Sequence, residues 1–201
     1  GGNLNSATRL ATMSVEESGL GSPEPSRRGK VLGILRDALR QKSMGIIEEI
    51  PEKGIVKYAK PAGVIAALIP VTSPYVTPIG IAIYALKCKD AVVFAPHPAS
   101  RKTTNETVRL MRAALEAAGA PVDLLQCVEK PSIPLSQGLM AGCDLTIATG
   151  GPPMVRAAYS SGKPAYGVGA GNATMVIDET ANVEEAARNT RISKTNDNGS
   201  G

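Results

Sequence analysis

Five short apolar runs, each closed by a turn and followed by a helix-length segment, constrain this chain more than anything else in it. They are VIAALI (64–69), AVVFA (91–95), LLQCV (124–128), LTIAT (145–149) and AYGVG (165–169). Runs of this length that do not alternate with polar residues read as strands buried on both faces. Between them lie helical segments near 76–87, 102–118, 133–141 and 153–161. In the second, Val108, Met111, Leu115 and Ala118 recur at helical spacing and Gly119 supplies the stop. Strands alternating with helices predict an α/β fold: a doubly wound parallel sheet of Rossmann-like type, with right-handed crossovers placing helices on both faces. Composition agrees. With 43% hydrophobic but only 3% aromatic residues, the core must be filled by Val, Ile, Leu and Ala.

The ends of the chain read differently. Residues 1–53 are expected to form an N-terminal helical segment of the cofactor-binding domain. It comprises a helix over about 6–18, a break at Gly19–Ser26 rich in Gly, Pro and Ser, and a helix with Leu32, Leu35 and Leu39 on one face. GIVKYAKP (54–61) reads as an extended lead-in to a domain spanning 54–201, which closes with a helix over 183–193. Residues 61–86 carry no charge over 26 positions, yet Pro61, Pro70, Pro74 and Pro78 interrupt them. No unbroken run reaches the roughly 20 residues a bilayer requires, so no membrane span is expected. The chain opens Gly1-Gly2-Asn3 without a signal peptide, and a cytoplasmic location is expected. The three cysteines, Cys88, Cys127 and Cys143, lack metal-ligand spacing and read as buried thiols in a reducing compartment. The mild formal charge of +4 is scattered, and few aromatics exist to stack bases, so nucleic acid is not an expected partner.

Ligands of open parallel sheets bind beyond the carboxyl ends of the strands, which directs attention to the turns. After the first run comes Pro70-Val71-Thr72-Ser73-Pro74, a rigid turn with two hydroxyls. After the second comes Pro96-His97-Pro98-Ala99-Ser100, with the only His. Thr149-Gly150-Gly151 follows the fourth run, and its backbone N–H groups at a helix start suit a phosphate. Gly167-Val168-Gly169-Ala170-Gly171 closes the fifth run. Each turn taken alone also fits ordinary Gly and Pro turn chemistry; together, on one edge, they describe a nucleotide crevice.

Read in order, PAGVIAALIPVTSP, VVFAPHPAS, ATGGPPMVRAAYSSGKPAYGVGAGN, VIDETA and ISKTNDNG resemble the aldehyde dehydrogenase superfamily, and its CoA-acylating branch above all. Acetaldehyde and sulfoacetaldehyde dehydrogenases belong to that branch. The resemblance runs from LATMSVEESGLG (10–21) to Gly201. It implies oxidation of an aldehyde by NAD or NADP through a cysteine thioester, with coenzyme A taking the acyl group, and a parent that forms homo-oligomers. Carried onto this sequence, it puts Pro70, Val71, Thr72 and Ser73 beside the nicotinamide and the aldehyde oxygen. His97 and Pro98 fall by the adenosine ribose, and Ser100 falls where NAD-specific relatives often carry a Glu. Thr149, Gly150 and Gly151 fall by the pyrophosphate, and Gly167, Val168 and Gly169 line the strand's exit. Arg101 and Lys102 beside Ser100 leave room for a 2′-phosphate.

Gly167 stands where hydrolytic relatives place the Glu that activates water, which fits a thioester awaiting CoA. Ser73 departs from the Asn common in acylating relatives, as Asn196 departs from the Phe of bifunctional ones, and the ending Asn198-Gly199-Ser200-Gly201 looks more like the sulfoacetaldehyde type. No cysteine of this chain lies in the family's nucleophile context, which falls immediately after Gly201. The chain therefore reads as an internal fragment carrying cofactor contacts and, on its own, no turnover. Two alternatives stand beside this reading: a non-catalytic nucleotide-binding module of the same fold, and a semialdehyde dehydrogenase relative.

Overall fold

The computed structural model describes residues 4–21, 26–171 and 174–195. Two helices come first, α1 (Leu4–Ser18) and α2 (Ser26–Arg40), followed by an antiparallel hairpin of β1 (Gly45–Ile50) and β2 (Ile55–Ala59). The α/β unit then runs β3 (Val64–Leu68), α3 (Val76–Lys87), β4 (Ala91–Ala95), α4 (Arg101–Ala117), β5 (Leu125–Cys127), α5 (Ile133–Gly142), β6 (Leu145–Thr149), α6 (Pro152–Tyr159) and β7 (Ala165–Val168). Helix α7 (Val183–Thr195) closes the described part.

The parallel sheet has the order β5-β4-β3-β6-β7. The chain winds outward from β3 in one direction, returns, and winds outward in the other, so the switch point lies between β3 and β6. All five apolar runs became strands of this sheet, and each helix expected between them is present. One element was not expected. The sequence pointed to helix through about residue 45 and a single extended lead-in; the structure folds 45–59 into a hairpin that straddles residue 53. Its turn is a short 3₁₀ segment, Pro51–Lys53, ended by Gly54 at φ 62°. The strands carry Glu48, Glu49 and Lys57 among exposed Ile46, Val56 and Tyr58, so no buried face wrote a period into the sequence.

Packing follows the alternation of strand side chains. Ile65, Ala67 and Ile69 of the β3 segment meet Val92 and Phe94, Leu125, Ala82 and Ala85 of α3, and Val108 of α4. Leu68 points the other way, joining Ala95, Ala148, Met140 of α5 and Ala158 of α6. Helix α1 packs Leu10 and Ala11 against Tyr75, outside the first of these layers.

Strand β3 begins under two carboxylates. Asp90 Oδ1 accepts the Gly63 N–H at 2.9 Å, and Asp144 Oδ2 accepts the Val64 N–H at 2.8 Å. Gly63 sits at φ 116°, and a Cβ built there would lie 2.3 Å from Asp144 Oδ2. Gly119, closing α4 at φ 71°, has open space around it. Gly119→Ala should therefore cost only the left-handed backbone strain, about 1–2 kcal/mol. Gly63→Ala should cost roughly 1–3 kcal/mol more, because the new methyl displaces a carboxylate from the strand's first amide. Urea midpoints of the two variants check this; equal losses would contradict the steric part of the argument.

Candidate functional site

The switch point opens into an apolar crevice of about 810 Å³ along the carboxyl ends of β3, β4, β6 and β7, a size suited to a bound small molecule or cofactor. Four expected turns converge on it: Pro70, Val71 and Thr72 after β3; His97 and Pro98 after β4; Thr149, Gly150 and Gly151 after β6; Gly169, Ala170 and Gly171 after β7. Met140, Met154 and Ala157 lie beneath. A wall that sequence reasoning missed comes from the start of α5. Pro131, Ser132, Ile133, Ser136 and Gln137 line the crevice there, and Ile133 is 75% exposed. The Ser132 hydroxyl accepts the Leu135 N–H at 3.3 Å, an N-cap that aims this helix start at the opening. A Ser-Ile-Pro signature after an apolar run was the available signal.

Not every expected residue reaches the crevice. Ser73 does not line it; its carbonyl accepts the Thr77 N–H at 3.2 Å at the start of α3. Ser100 is fully buried behind the His97 loop, and its hydroxyl has no hydrogen-bond partner among the described residues. Gly167 and Val168 stand one step back on β7. Asn172 and the 196–199 part of ISKTNDNG lie outside the described residues.

The chemistry offered is donor-rich and sparing in charge. His97 Nδ1 accepts the Ala99 N–H at 3.1 Å, so the neutral ring carries its proton on Nε2 and presents a donor. At the start of α6 the supply of amides is smaller than the sequence suggested. The Gly150 N–H is taken by the Val168 carbonyl at 3.0 Å, and Pro152 and Pro153 have none. That leaves the Gly151 N–H, with the helix dipole behind it, as the candidate donor for an anion.

The three thiols are held in their neutral form. Burial, then the charge of Glu129, pushes Cys127 up to about 12. Burial first, and then Asp90, raises Cys88; burial and then Asp144 raises Cys143. None of the three lines the crevice, so a thiolate nucleophile is absent among the described residues.

Helix α1 buttresses the loop that carries His97. Ser100, the residue preceding α4, makes no side-chain cap. Instead the Glu17 carboxylate accepts the Lys102 N–H, the Thr103 N–H and the Thr103 hydroxyl, each at 2.8 Å. A cap supplied 85 residues upstream leaves no local sequence trace.

Comparison with known proteins places this arrangement. The model of the aldehyde dehydrogenase family matches residues 10–200. The chain belongs to the aldehyde dehydrogenase family. It is 48% identical to the sulfoacetaldehyde dehydrogenase of an Acholeplasma species over 198 residues, 97% of this chain and 41% of that protein. Among solved structures, the acetylating aldehyde dehydrogenase of Geobacillus thermoglucosidasius superposes with a TM-score of 0.87 at 41% identity, covering 96% of this chain and 45% of the other. The propionaldehyde dehydrogenase of Rhodopseudomonas palustris, solved with bound CoA and an acylated cysteine, gives 0.80 at 34% identity, with 96% and 45% covered. The chain thus spans less than half the length of these relatives. No helix among the described residues is long and apolar enough to cross a membrane.

A second tie between α1 and α4 titrates. Glu106 hydrogen-bonds Arg109 at 2.6 and 2.8 Å and also bonds Arg9. The Arg109 hydrogen bond, aided by Arg9, holds its carboxyl down to about 2 from the usual 4.5. A carboxyl depressed by folding stabilises the fold above its unfolded value and loses that contribution as pH falls toward the folded one. Glu106→Gln should therefore lose stability at pH 7, and its difference from the parent chain should shrink as pH drops below 5 and close only near 2. Urea midpoints across that range check it; a difference independent of pH would contradict the linkage.

Proposed function

We propose that the crevice is the NAD(P) site of a CoA-acylating aldehyde dehydrogenase and that this chain is most of its cofactor-binding domain. The overall reaction is aldehyde + CoA–SH + NAD(P)⁺ → acyl-CoA + NAD(P)H + H⁺. The observation that carries the reading is the convergence of the turns after β3, β4, β6 and β7 on one apolar crevice at the switch point, in a chain of this family. When bound, NAD(P)⁺ supplies the hydride acceptor. Residues of the chain bind and orient it. The His97 Nε2–H donates to the adenosine ribose, the Gly151 N–H and the α6 dipole meet the pyrophosphate, and Ile133 with Met154 forms apolar walls. Pro70–Thr72 edges the reacting end. Ser100, being buried, leaves no carboxylate or exposed hydroxyl facing the ribose; this is compatible with both NAD and NADP.

Similarity to the Acholeplasma protein supports sulfoacetaldehyde as the aldehyde, and similarity to the Rhodopseudomonas palustris protein, solved with bound CoA, supports CoA rather than water as acyl acceptor. Gly167 supports the second point. It has no side chain to activate water, and a Cβ there would lie 2.6 Å from Val155 Cγ1 and 2.8 Å from Tyr159 Cε2.

Calorimetric titration of the chain with NAD⁺ and NADP⁺ tests the site. Saturable one-to-one binding is expected, weakened roughly 5- to 10-fold by His97→Ala through loss of one hydrogen bond. Binding by neither nucleotide overturns the reading. Supplied with sulfoacetaldehyde, CoA and NAD⁺, the 201-residue chain should form no NADH, and NADH formation would show that one of its own side chains serves as nucleophile.

A further inference from the structure

Strand β7 is one of the two edges of the parallel sheet, β5 being the other. Its residues 166 and 168 turn their backbone groups toward β6, as the Gly150 N–H bond to the Val168 carbonyl shows. The backbone N–H and carbonyl of Gly167 therefore face outward, where an edge strand normally leaves them to water. Here one side chain takes both. Tyr159, the last residue of α6, accepts the Gly167 N–H on its hydroxyl oxygen at 3.0 Å and donates its O–H to the Gly167 carbonyl at 3.4 Å. The ring lies where a side chain on 167 would project, 2.8 Å from the Cβ position at Cε2 and 3.2 Å at Cζ. Tyrosine at 159 and glycine at 167 therefore form a matched pair, since the hydroxyl reaches the backbone only because there is no Cβ in the way.

The pair sits between two walls of the crevice. Two residues beyond Gly167 the chain becomes the Gly169-Ala170-Gly171 wall, and the other end of α6 is the Gly151–Pro153 wall. The Gly150–Val168 bond ties those walls at the front, and Tyr159 ties the same strand to the same helix at the back. The ladder to β6 holds the inner side of β7; the rear tie holds its outer side at Gly167, from which the chain runs straight into Gly169–Gly171. Glycines have no side chains of their own to hold that wall in place.

We propose that Tyr159 is a positioning residue for the nucleotide crevice: its hydroxyl, acting through the Gly167 backbone, fixes the Gly169–Gly171 wall against which the cofactor binds. The inference rests on the nucleotide reading above. Tyr159→Phe keeps the ring and removes only the bridge. It should leave the melting temperature within a few degrees of the parent, speed amide exchange at Gly167 at least tenfold, and weaken NAD⁺ binding about 3- to 10-fold. Gly167→Ala, which drives the ring off the strand from the other side, should weaken binding at least as much. If the parent chain binds no nucleotide, the crevice assignment itself fails. If the parent binds and both variants bind equally well, Tyr159 only blunts the sheet edge and the proposal is overturned.

Discussion

Everything in this fold is referred to one strand. β3 is buried on both faces, paired in parallel with β4 on one side and β6 on the other. Its first amides are pinned by Asp90 and Asp144, each reaching in from the start of a neighbouring strand. With its beginning fixed and Ile65 to Leu68 locked into two opposite core layers, its end can emerge at only one place. That place is the switch point, where the Pro70–Thr72 turn meets the turns of β4 and β6. The crevice is thus a consequence of sheet order: chain direction reverses across β3, and no helix can cover the gap.

The strands were legible because burial on both faces writes an unbroken apolar run, and such runs survive without any alignment. Helix α4 was legible from its period and its Gly119 stop, and α3, α5 and α6 from their place between the apolar runs. The hairpin 45–59 was not, since exposed strands with mixed Glu, Lys and Ile carry no period that separates them from a lead-in. At the site, the turns announced themselves through Gly, Pro and hydroxyl residues, but sequence does not state direction. Ser100 reads like a crevice residue and points into the protein. Gly150 reads like a phosphate amide, yet its N–H belongs to Val168. The Glu17 cap joins residues far apart in the chain, and only folding brings them together.

Gly167 shows how a chemical and a steric reading can coincide. The resemblance to acylating dehydrogenases explains the glycine by what it lacks, a carboxylate to activate water. The structure adds what occupies its place, the Tyr159 ring and Val155. On the proposed reading, in which an acyl group goes to a thiol rather than to water, a filled space is a firmer exclusion of water than a missing base. The neutral thiols fit the same picture, although only Cys143 is buried as the sequence suggests, Cys88 and Cys127 being partly exposed. They belong to the sheet and its helices, and none of them lines the crevice.

The most direct test of the central claim is an amide chemical-shift map of the chain titrated with NAD⁺. Shifts are expected at residues 70–72, 97–98, 133–137, 150–151 and 169–171, with the hairpin 45–59 unmoved. Shifts that are absent, or that gather on the hairpin or the outer faces of α1 and α2, would contradict the assignment of the switch-point crevice as the cofactor site.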